Sequence, residues 1–218
     1  MRIGEKIKKD WPILSLIVIT FIISLILYPY LPDKVPSHWN IKGEVDAYSS
    51  KLFGVLMINL MNLGLYFLFL ILPNLDPKKE NYVRFSSAYN IIRYFLHVFF
   101  VIVQLTIIFA ALGFKIQVDF IMTISVAIMF ILFGNVMGKI KHNYFVGIRT
   151  PWTLADERVW IKTHRFAAPL WVMSGFIMIL VSIKGGITAF IVLIVATLIS
   201  AFVPMIYSYN VYKELNKK

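Results

Sequence analysis

The sequence predicts an all-α membrane protein with six transmembrane helices, a structured first outer loop and a short helix in the second inner loop. Hydrophobic residues make up 59% of the 218-residue chain and charged residues only 15%, whereas a soluble domain carries about 25% charged residues. The mean hydropathy is +0.77. One soluble core of this size cannot bury so much apolar surface, so lipid has to cover part of it.

Six stretches are apolar enough to cross a membrane, which takes roughly 20 mainly apolar residues. The third stretch is the least apolar because it carries Arg93 and His97, and we expect Arg93 to reach the inner interface by snorkelling. A turn of Lys184, Gly185 and Gly186 separates the last two stretches and predicts an antiparallel helix pair. The predicted spans cover residues 11–31, 52–73, 89–112, 120–138, 166–183 and 187–207.

The distribution of basic residues predicts that both termini lie in the cytoplasm. Short cytoplasmic loops are richer in Lys and Arg than outer loops. With the N-terminus inside, 17 of the 22 Lys and Arg residues fall on the inner side and 5 on the outer side. This fringe faces the anionic inner leaflet and accounts for the net charge of +11 without direct binding to nucleic acid. The protein is therefore expected in the cell (plasma) membrane as a multi-pass protein in contact with the lipid bilayer.

Two loops are long enough to carry a site, and they divide the chain into two predicted units. Residues 1–73 form a helix pair with the outer loop 32–51, and residues 74–218 form a four-helix region with the inner loop 139–165. Proline and glycine in the outer loop favour turns over a helix. This loop either caps the bundle or recognises an extracellular ligand, because loops on a rigid scaffold often carry binding residues.

The inner loop contains the signals of a short helix. Pro151 suits the first helical position, and Thr150 before it suits the N-cap. The helix is predicted to run from Pro151 or Leu154 to about Thr163. Its apolar residues do not form one stripe at helical spacing, so we expect contact with protein on several sides rather than a helix lying on lipid.

The sequence does not favour an enzyme, a metal site or a cofactor. His38 is predicted outside and the other three histidines near or inside the inner face, separated from it by an apolar layer of roughly 30 Å. His142, His164 and Asp156 could share a cytoplasmic site, but their spacing matches no metal or acid–base motif. The chain has no cysteine, which excludes thiol chemistry and disulfides.

Polar residues inside the predicted spans leave a small-solute transporter or channel as the main alternative. Asn59 and Asn62 share one helix face and Gln104 lies in the next span. Such groups can line a solute path, but they more often bond neighbouring helices, and we favour that role. No carboxylate lies deep in a span, which disfavours ion-coupled transport.

Residues 134–165 contain a Gly-Asn pair, Asn143, a contiguous Gly-Ile-Arg-Thr-Pro-Trp-Thr-Leu run over 147–154, Trp160 and a Thr-His-Arg run over 163–165. This segment resembles the signature of the SdpI family of bacterial membrane proteins, named for immunity to a secreted sporulation-delaying toxin. The outer segment 31–51 resembles the N-terminal domain of unknown function common in that family. Together with the intervening helices, the resemblance covers nearly the whole chain.

The resemblance implies an immunity or signal-transduction protein that meets a toxic peptide outside, with a small DNA-binding repressor as a further expected partner inside. On the outer surface the implied ligand-binding residues are His38, Trp39, Asn40, Gly43 and Asp46. On the inner surface the implied partner-binding residues are Asn135, Asn143, Gly147, Arg149, Thr150, Pro151, Trp152, Trp160, Thr163 and His164.

Overall fold

The computed structural model describes the backbone of residues 3–217 and the side chains of residues 6–217. Within this part, six helices are long and apolar enough to cross a membrane, which confirms the predicted all-α multi-pass architecture. The six are α2 (Trp11–Leu27), α3 (Lys51–Leu75), α5 (Ser86–Ala111), α6 (Val118–Met137), α8 (Glu157–Ser182) and α9 (Gly186–Leu215). The shorter elements are α1 (Ile3–Lys9), α4 (Asn81–Arg84), α7 (Pro151–Ala155) and strands β1 (Lys34–Trp39) and β2 (Val45–Ser50).

The predicted short inner helix exists, but its predicted end was wrong. Helix α7 ends at Ala155, and the residues up to Thr163 belong to α8. The break lies at Asp156, where the backbone is extended. The Asp156 side chain caps the start of α8 by accepting a hydrogen bond from the Arg158 backbone N–H at 2.8 Å. The fifth spanning helix therefore begins at Glu157 and projects about two turns further inward than the predicted span, which began at residue 166.

Helices α2, α3 and α5 pack against one another, and α6, α8 and α9 form a second group, with α5 also contacting α6. Two glycines allow α6 and α8 to approach closely. A Cβ atom on Gly134 would lie 2.9 Å from the Ala168 carbonyl oxygen, and one on Gly175 would lie 2.6 Å from the Ala127 carbonyl oxygen. Small residues at such positions let membrane helices gain backbone contact that larger side chains would prevent.

The outer loop forms an antiparallel β-hairpin, which the sequence pattern did not predict beyond its turns. Asn40 closes the turn, because its side-chain oxygen accepts hydrogen bonds from the backbone N–H groups of Lys42 and Glu44. Gly43 adopts a φ of +76°, a conformation in which glycine avoids the strain of a side chain. The proline and glycine positions of the loop thus serve a hairpin.

The hairpin covers an apolar cluster at the outer ends of α3 and α5. Val35 of β1 is 1% exposed and reaches the backbone of α3, where a Cβ atom on Gly54 would lie 2.3 Å from its methyl group. The hairpin therefore caps the bundle, as one of the two interpretations of the loop expected. We call this group the outer apolar cluster; its buried members are Leu31, Val35, Val55, Ile107 and Ile108.

The expectation that Arg93 snorkels to the interface was wrong. Its side chain is fully buried, and Nη2 donates a hydrogen bond to Asp10 Oδ2 at 2.5 Å. Asp10, itself 2% exposed, also accepts hydrogen bonds from the hydroxyl groups of Tyr66 and Tyr94. With this counter-charge next to it, the guanidinium group is paired inside the bundle and does not need to reach water.

Breaking the buried Asp10–Arg93 pair should destabilise the folded protein. Arg93→Leu leaves the Asp10 carboxylate buried without its counter-charge, so we expect the free energy of unfolding to fall by about 3–5 kcal/mol. The measurement is denaturant unfolding of the purified protein in detergent. Lys51→Leu serves as the control, because the Asp33–Lys51 pair is 3.6 Å long with Asp33 exposed, and such pairs contribute about 1 kcal/mol or less. Equal losses in the two variants would contradict the assigned role of the buried pair.

The predicted orientation can be tested by labelling, because the natural chain contains no cysteine. Ala47 in β2 and Ala155 at the end of α7 are both exposed. In intact cells a membrane-impermeant maleimide should label Ala47→Cys and should label Ala155→Cys only after the membrane is permeabilised. The reverse pattern would place both termini outside.

Candidate functional site

The inner loop between α6 and α7 is built around the side chain of Asn143, which is fully buried. Its amide nitrogen donates hydrogen bonds to the carbonyl oxygens of Lys141 and Val146, at 2.9 and 2.8 Å. Its amide oxygen accepts from the backbone N–H groups of Phe145 and Val146, at 2.9 and 2.7 Å. One side chain therefore satisfies four backbone groups of a loop that has no secondary structure to do so.

Asp76, at the inner end of α3, holds this loop against the first helix group. Its carboxylate accepts hydrogen bonds from the backbone N–H groups of Lys78 and Tyr144, at 2.8 and 2.9 Å, and from the Tyr82 hydroxyl at 3.0 Å. Burial and the neighbouring Asp76 carboxylate raise the pKa of Tyr82 well above its usual value, so its hydroxyl stays a donor.

Trp160 is buried at the start of α8 between two histidine rings. Its indole N–H donates to the Ile140 carbonyl oxygen at 2.9 Å, and its ring centroid lies 5.1 Å from that of His142 and 4.1 Å from that of His164. His164 Nδ1 donates to the Trp160 carbonyl oxygen at 2.8 Å, and Nε2 accepts from the Ile148 backbone N–H at 3.0 Å. Both nitrogens of His164 are thus used to hold the loop.

Gly147 and Thr150 complete the inner loop, residues 139–165, which we call the inner motif. Gly147 has a φ of +115°, and a Cβ atom there would lie 2.5 Å from His164 Nε2. Thr150 and Thr153 form a capping box at the start of α7, as the predicted N-cap required. The Thr150 hydroxyl also pairs with the Ser208 hydroxyl of α9 at 2.9 Å, which fastens the motif to the last spanning helix.

The inner residues predicted to bind a partner fall into two groups. The first group is buried and shapes the loop from within: Asn143, Thr150, Trp160, Thr163 and His164. The second group is exposed, namely Asn135, Gly147, Arg149 and Pro151, while Trp152 is half-buried against Tyr209. Only the second group can touch a partner without unfolding the loop. Arg149, which donates to the Tyr144 carbonyl oxygen at 3.1 Å, is its one charged member.

The residues considered for an inner catalytic site are engaged elsewhere. His142 is buried, and burial together with the Lys78 ammonium group 2.9 Å from its Nδ1 lowers its pKa. Asp156 accepts hydrogen bonds from the Arg158 side chain, which holds the pKa of the Asp156 carboxyl below its usual value. Among the side chains of residues 6–217, no three His, Asp or Glu residues are grouped so that they could hold a metal ion.

The predicted outer residues come together on the hairpin. His38 Nδ1 and Asp46 Oδ1 are 2.6 Å apart across the two strands, and both side chains are substantially exposed. Trp39 packs partly on the outer apolar cluster, whereas Asn40 and Gly43 form the turn. The hairpin thus presents one polar pair at the surface and anchors itself by Trp39 and Val35.

A cleft of about 380 Å³ lies between the hairpin and the outer ends of α6 and α9. A second cavity of about 290 Å³ shares four hairpin residues and Phe190 with it, and includes Asp46. The walls of the cleft are mainly apolar, and its polar side chains come from the hairpin and from Asp119 and Thr123 of α6. The lining includes His38, Trp39, Val118, Asp119, Met122, Thr123, Val126, Phe190 and Leu193.

Asp119, which the sequence reasoning missed, joins the three elements around this cleft. Its Oδ2 accepts a hydrogen bond from the Gly186 backbone N–H at the start of α9, at 2.8 Å. A Cβ atom on Gly43 would lie 3.4 Å from its side chain, so the hairpin turn packs directly on it. The signal in the sequence was a lone carboxylate at the outer end of a span, but only folding shows what it contacts.

The polar residues inside the spans bond neighbouring helices, which confirms the role that we favoured. The Asn59 amide donates to the Ser24 hydroxyl of α2 at 3.0 Å, and the Asn62 amide donates to the His97 carbonyl oxygen of α5 at 3.3 Å. The Gln104 amide donates to the Gly54 carbonyl oxygen at 3.3 Å.

Gly147 should be intolerant of a side chain. Gly147→Ala combines a left-handed backbone with a collision against His164, and strained backbone of this kind costs about 1–3 kcal/mol before the collision is added. We expect a clearly lower midpoint of thermal unfolding in detergent. Gly64→Ala in α3 is the matched control, because a Cβ atom there meets nothing within 4 Å. A Gly147→Ala protein as stable as the Gly64→Ala protein would refute this account of the motif.

Comparison with known proteins finds similarity over nearly the whole chain. Residues 139–208 match the SdpI/YfhL protein family, and residues 15–63 match a domain of unknown function (DUF1648). The immunity protein SdpI of Bacillus subtilis (strain 168) is 32% identical over 209 residues, which cover 96% of this chain and 98% of that protein. No solved structure matches the chain. The chain therefore belongs to the SdpI family of membrane proteins.

Proposed function

We propose that this chain is a non-enzymatic immunity protein of the cell membrane that binds a toxic peptide in its outer cleft. Its relationship to an immunity protein over nearly the whole length supports a membrane immunity role. The observation that carries the finer proposal is the cleft between the hairpin, α6 and α9, because it joins the outer hairpin to the membrane-spanning helices.

The chemistry of the cleft suits a peptide that also inserts into lipid. Met122, Val126 and Leu193 provide apolar walls at the depth of the outer leaflet, and Phe190 at the mouth is 43% exposed. Burying apolar side chains of a peptide there contributes about 25 cal/mol per Å² of apolar surface removed from water. The His38–Asp46 pair on the hairpin offers hydrogen-bonding groups to the peptide backbone at the aqueous edge.

On the inner face we propose binding of a small DNA-binding repressor. The residues available to it are the exposed members of the motif, with Arg149 and the exposed ring of Tyr144 beside it. Lys139, Arg158 and Lys162 are also exposed on this side. A partner with an acidic face fits this surface best, since charge complementarity speeds and orients association.

Expression of the chain in bacteria that are sensitive to the purified sporulation-delaying peptide should raise their survival. Met122→Trp fills the cleft and should reduce this protection strongly while the protein still inserts into the membrane. Met173→Trp is the matched control, because Met173 of α8 is 61% exposed and does not line the cleft. Survival is counted as colonies after exposure, with the membrane content of each variant measured by immunoblotting.

Arg149→Glu changes the inner face only and should leave protection unchanged, because the proposed peptide site is the outer cleft. Absence of protection by a membrane-inserted wild-type chain would refute immunity against this peptide. Equal protection by the Met122→Trp and Met173→Trp proteins would refute the cleft as its binding site.

A further inference from the structure

A line of buried polar side chains follows α5 where it packs against α2 and α3. We call it the polar seam. Arg93, His97 and Gln104 lie on one face of α5 and are at most 1% exposed. Their spacing of four and seven residues along a helix puts them on the same side and about 16 Å apart from first to last. Asn62 of α3 contacts His97, and the Tyr66 ring of α3 lies beside Arg93, while Ser24 of α2 and Asn59 of α3 bond each other.

Each of these three α5 side chains has a polar atom without a protein partner. These atoms are Arg93 Nε, His97 Nε2 and Gln104 Oε1. Buried polar atoms in folded proteins nearly always have a partner, which is ordered water when it is not protein. Three such atoms on one face of a spanning helix therefore indicate bound water molecules along that face.

The hydrogen bonds around His97 define its unpartnered ring nitrogen, Nε2, as a proton acceptor. Asn62 donates from its amide nitrogen to the His97 carbonyl oxygen, so its amide oxygen is the atom 2.7 Å from His97 Nδ1. Nδ1 must then carry the hydrogen of the neutral ring, which leaves Nε2 with an open lone pair. Arg93 Nε, one turn further in, is a donor, so the two atoms have the complementary roles that a bridging water molecule requires.

We propose that the polar seam is a hydrated proton path, reached from the cytoplasm past the half-buried Lys6 and closed to the outside by the outer apolar cluster. His97 Nε2 takes a proton from a hydronium ion that arrives through the seam from the cytoplasm, which leaves a neutral water molecule. The imidazolium ring then returns its proton to water on either side, so that one proton moves and no group is consumed.

The inner end of the seam carries the groups that can exchange protons with the cytoplasm. Lys6 of α1 lies 5.1 Å over the Tyr89 ring, and burial, followed by the Arg93 charge, lowers the pKa of Lys6 to about 8. It therefore titrates near physiological pH beside the buried Asp10. The Tyr66 ring of α3 faces His97, with their centroids 5.9 Å apart. Further inward, Asp10, Arg93 and Tyr94 form the charged and titratable cluster that Tyr66 also joins.

The outer end is closed by apolar side chains. Ile108 follows Gln104 by one turn of α5 and is 1% exposed, and Val55 follows the carbonyl group that Gln104 bonds. Val35 of the hairpin completes this layer. This layer should keep proton conduction by the wild-type protein low, because buried apolar side chains separate Gln104 from the outer surface.

The test measures proton flux into vesicles that contain the full-length protein and the pH-sensitive dye pyranine, driven by a potassium potential with valinomycin. Ile108→Ser opens the apolar layer and should raise the flux about tenfold over wild type, which corresponds to a barrier about 1.4 kcal/mol lower. Adding His97→Phe to Ile108→Ser should return the flux to the wild-type level. Ile128→Ser, at a 41% exposed position of α6, is the matched control and should not raise the flux.

A flux that does not rise in the Ile108→Ser protein, or that persists after His97→Phe is added, would overturn the proposal. Retention of calcein in the same vesicles shows that a rise is specific to protons and not a general leak. Circular dichroism in detergent verifies that each variant is folded. Should Ile108→Ser not fold, Val55→Ser opens the same layer from α3 and carries the same expectations.

Discussion

Within a lipid bilayer a buried polar group cannot bond bulk water, so it needs a partner in the protein or a bound water molecule, and this constraint organises much of the chain. The clearest example is the buried ion pair of Asp10 and Arg93, which places two opposite charges together at the inner ends of α2 and α5. The hydroxyl groups of Tyr66 and Tyr94 donate further hydrogen bonds to the Asp10 carboxylate. The first helix group is therefore held in register by a polar contact as well as by apolar packing.

The same constraint explains the inner motif. The loop between α6 and α7 runs at the membrane face without regular secondary structure, so its backbone needs partners from side chains. Asn143 and His164 provide them from inside the loop, and Asp76 provides them from α3. Residues that look like a binding signature in the sequence are thus largely the internal framework of a loop whose exposed surface is small.

Helix α5 connects the two sides of the molecule. Its outer end packs under the hairpin through Ile107 and Ile108, and its inner end packs through Tyr89 against the cluster that includes Trp160. The polar seam lies between these ends. A change in the hairpin, which rests on this helix, therefore has a continuous packed route to the inner motif.

Much of the fold could be read from the sequence because hydropathy and charge act locally. The number of spans, the cap at Thr150 and the bonding role of Asn59 all follow from short-range patterns. The extent of α8 did not, since the break at Asp156 depends on a backbone turn rather than on hydropathy.

By itself, the sequence determined that this is a six-span protein with one informative loop on each side. Only the tertiary structure decided how its polar residues pair, because Asp10 and Arg93 are 83 residues apart and no local pattern links them. The cleft is decided in the same way. Asp119 and Phe190 reach the hairpin from separate helices, and three segments distant in the chain meet only when the bundle has formed.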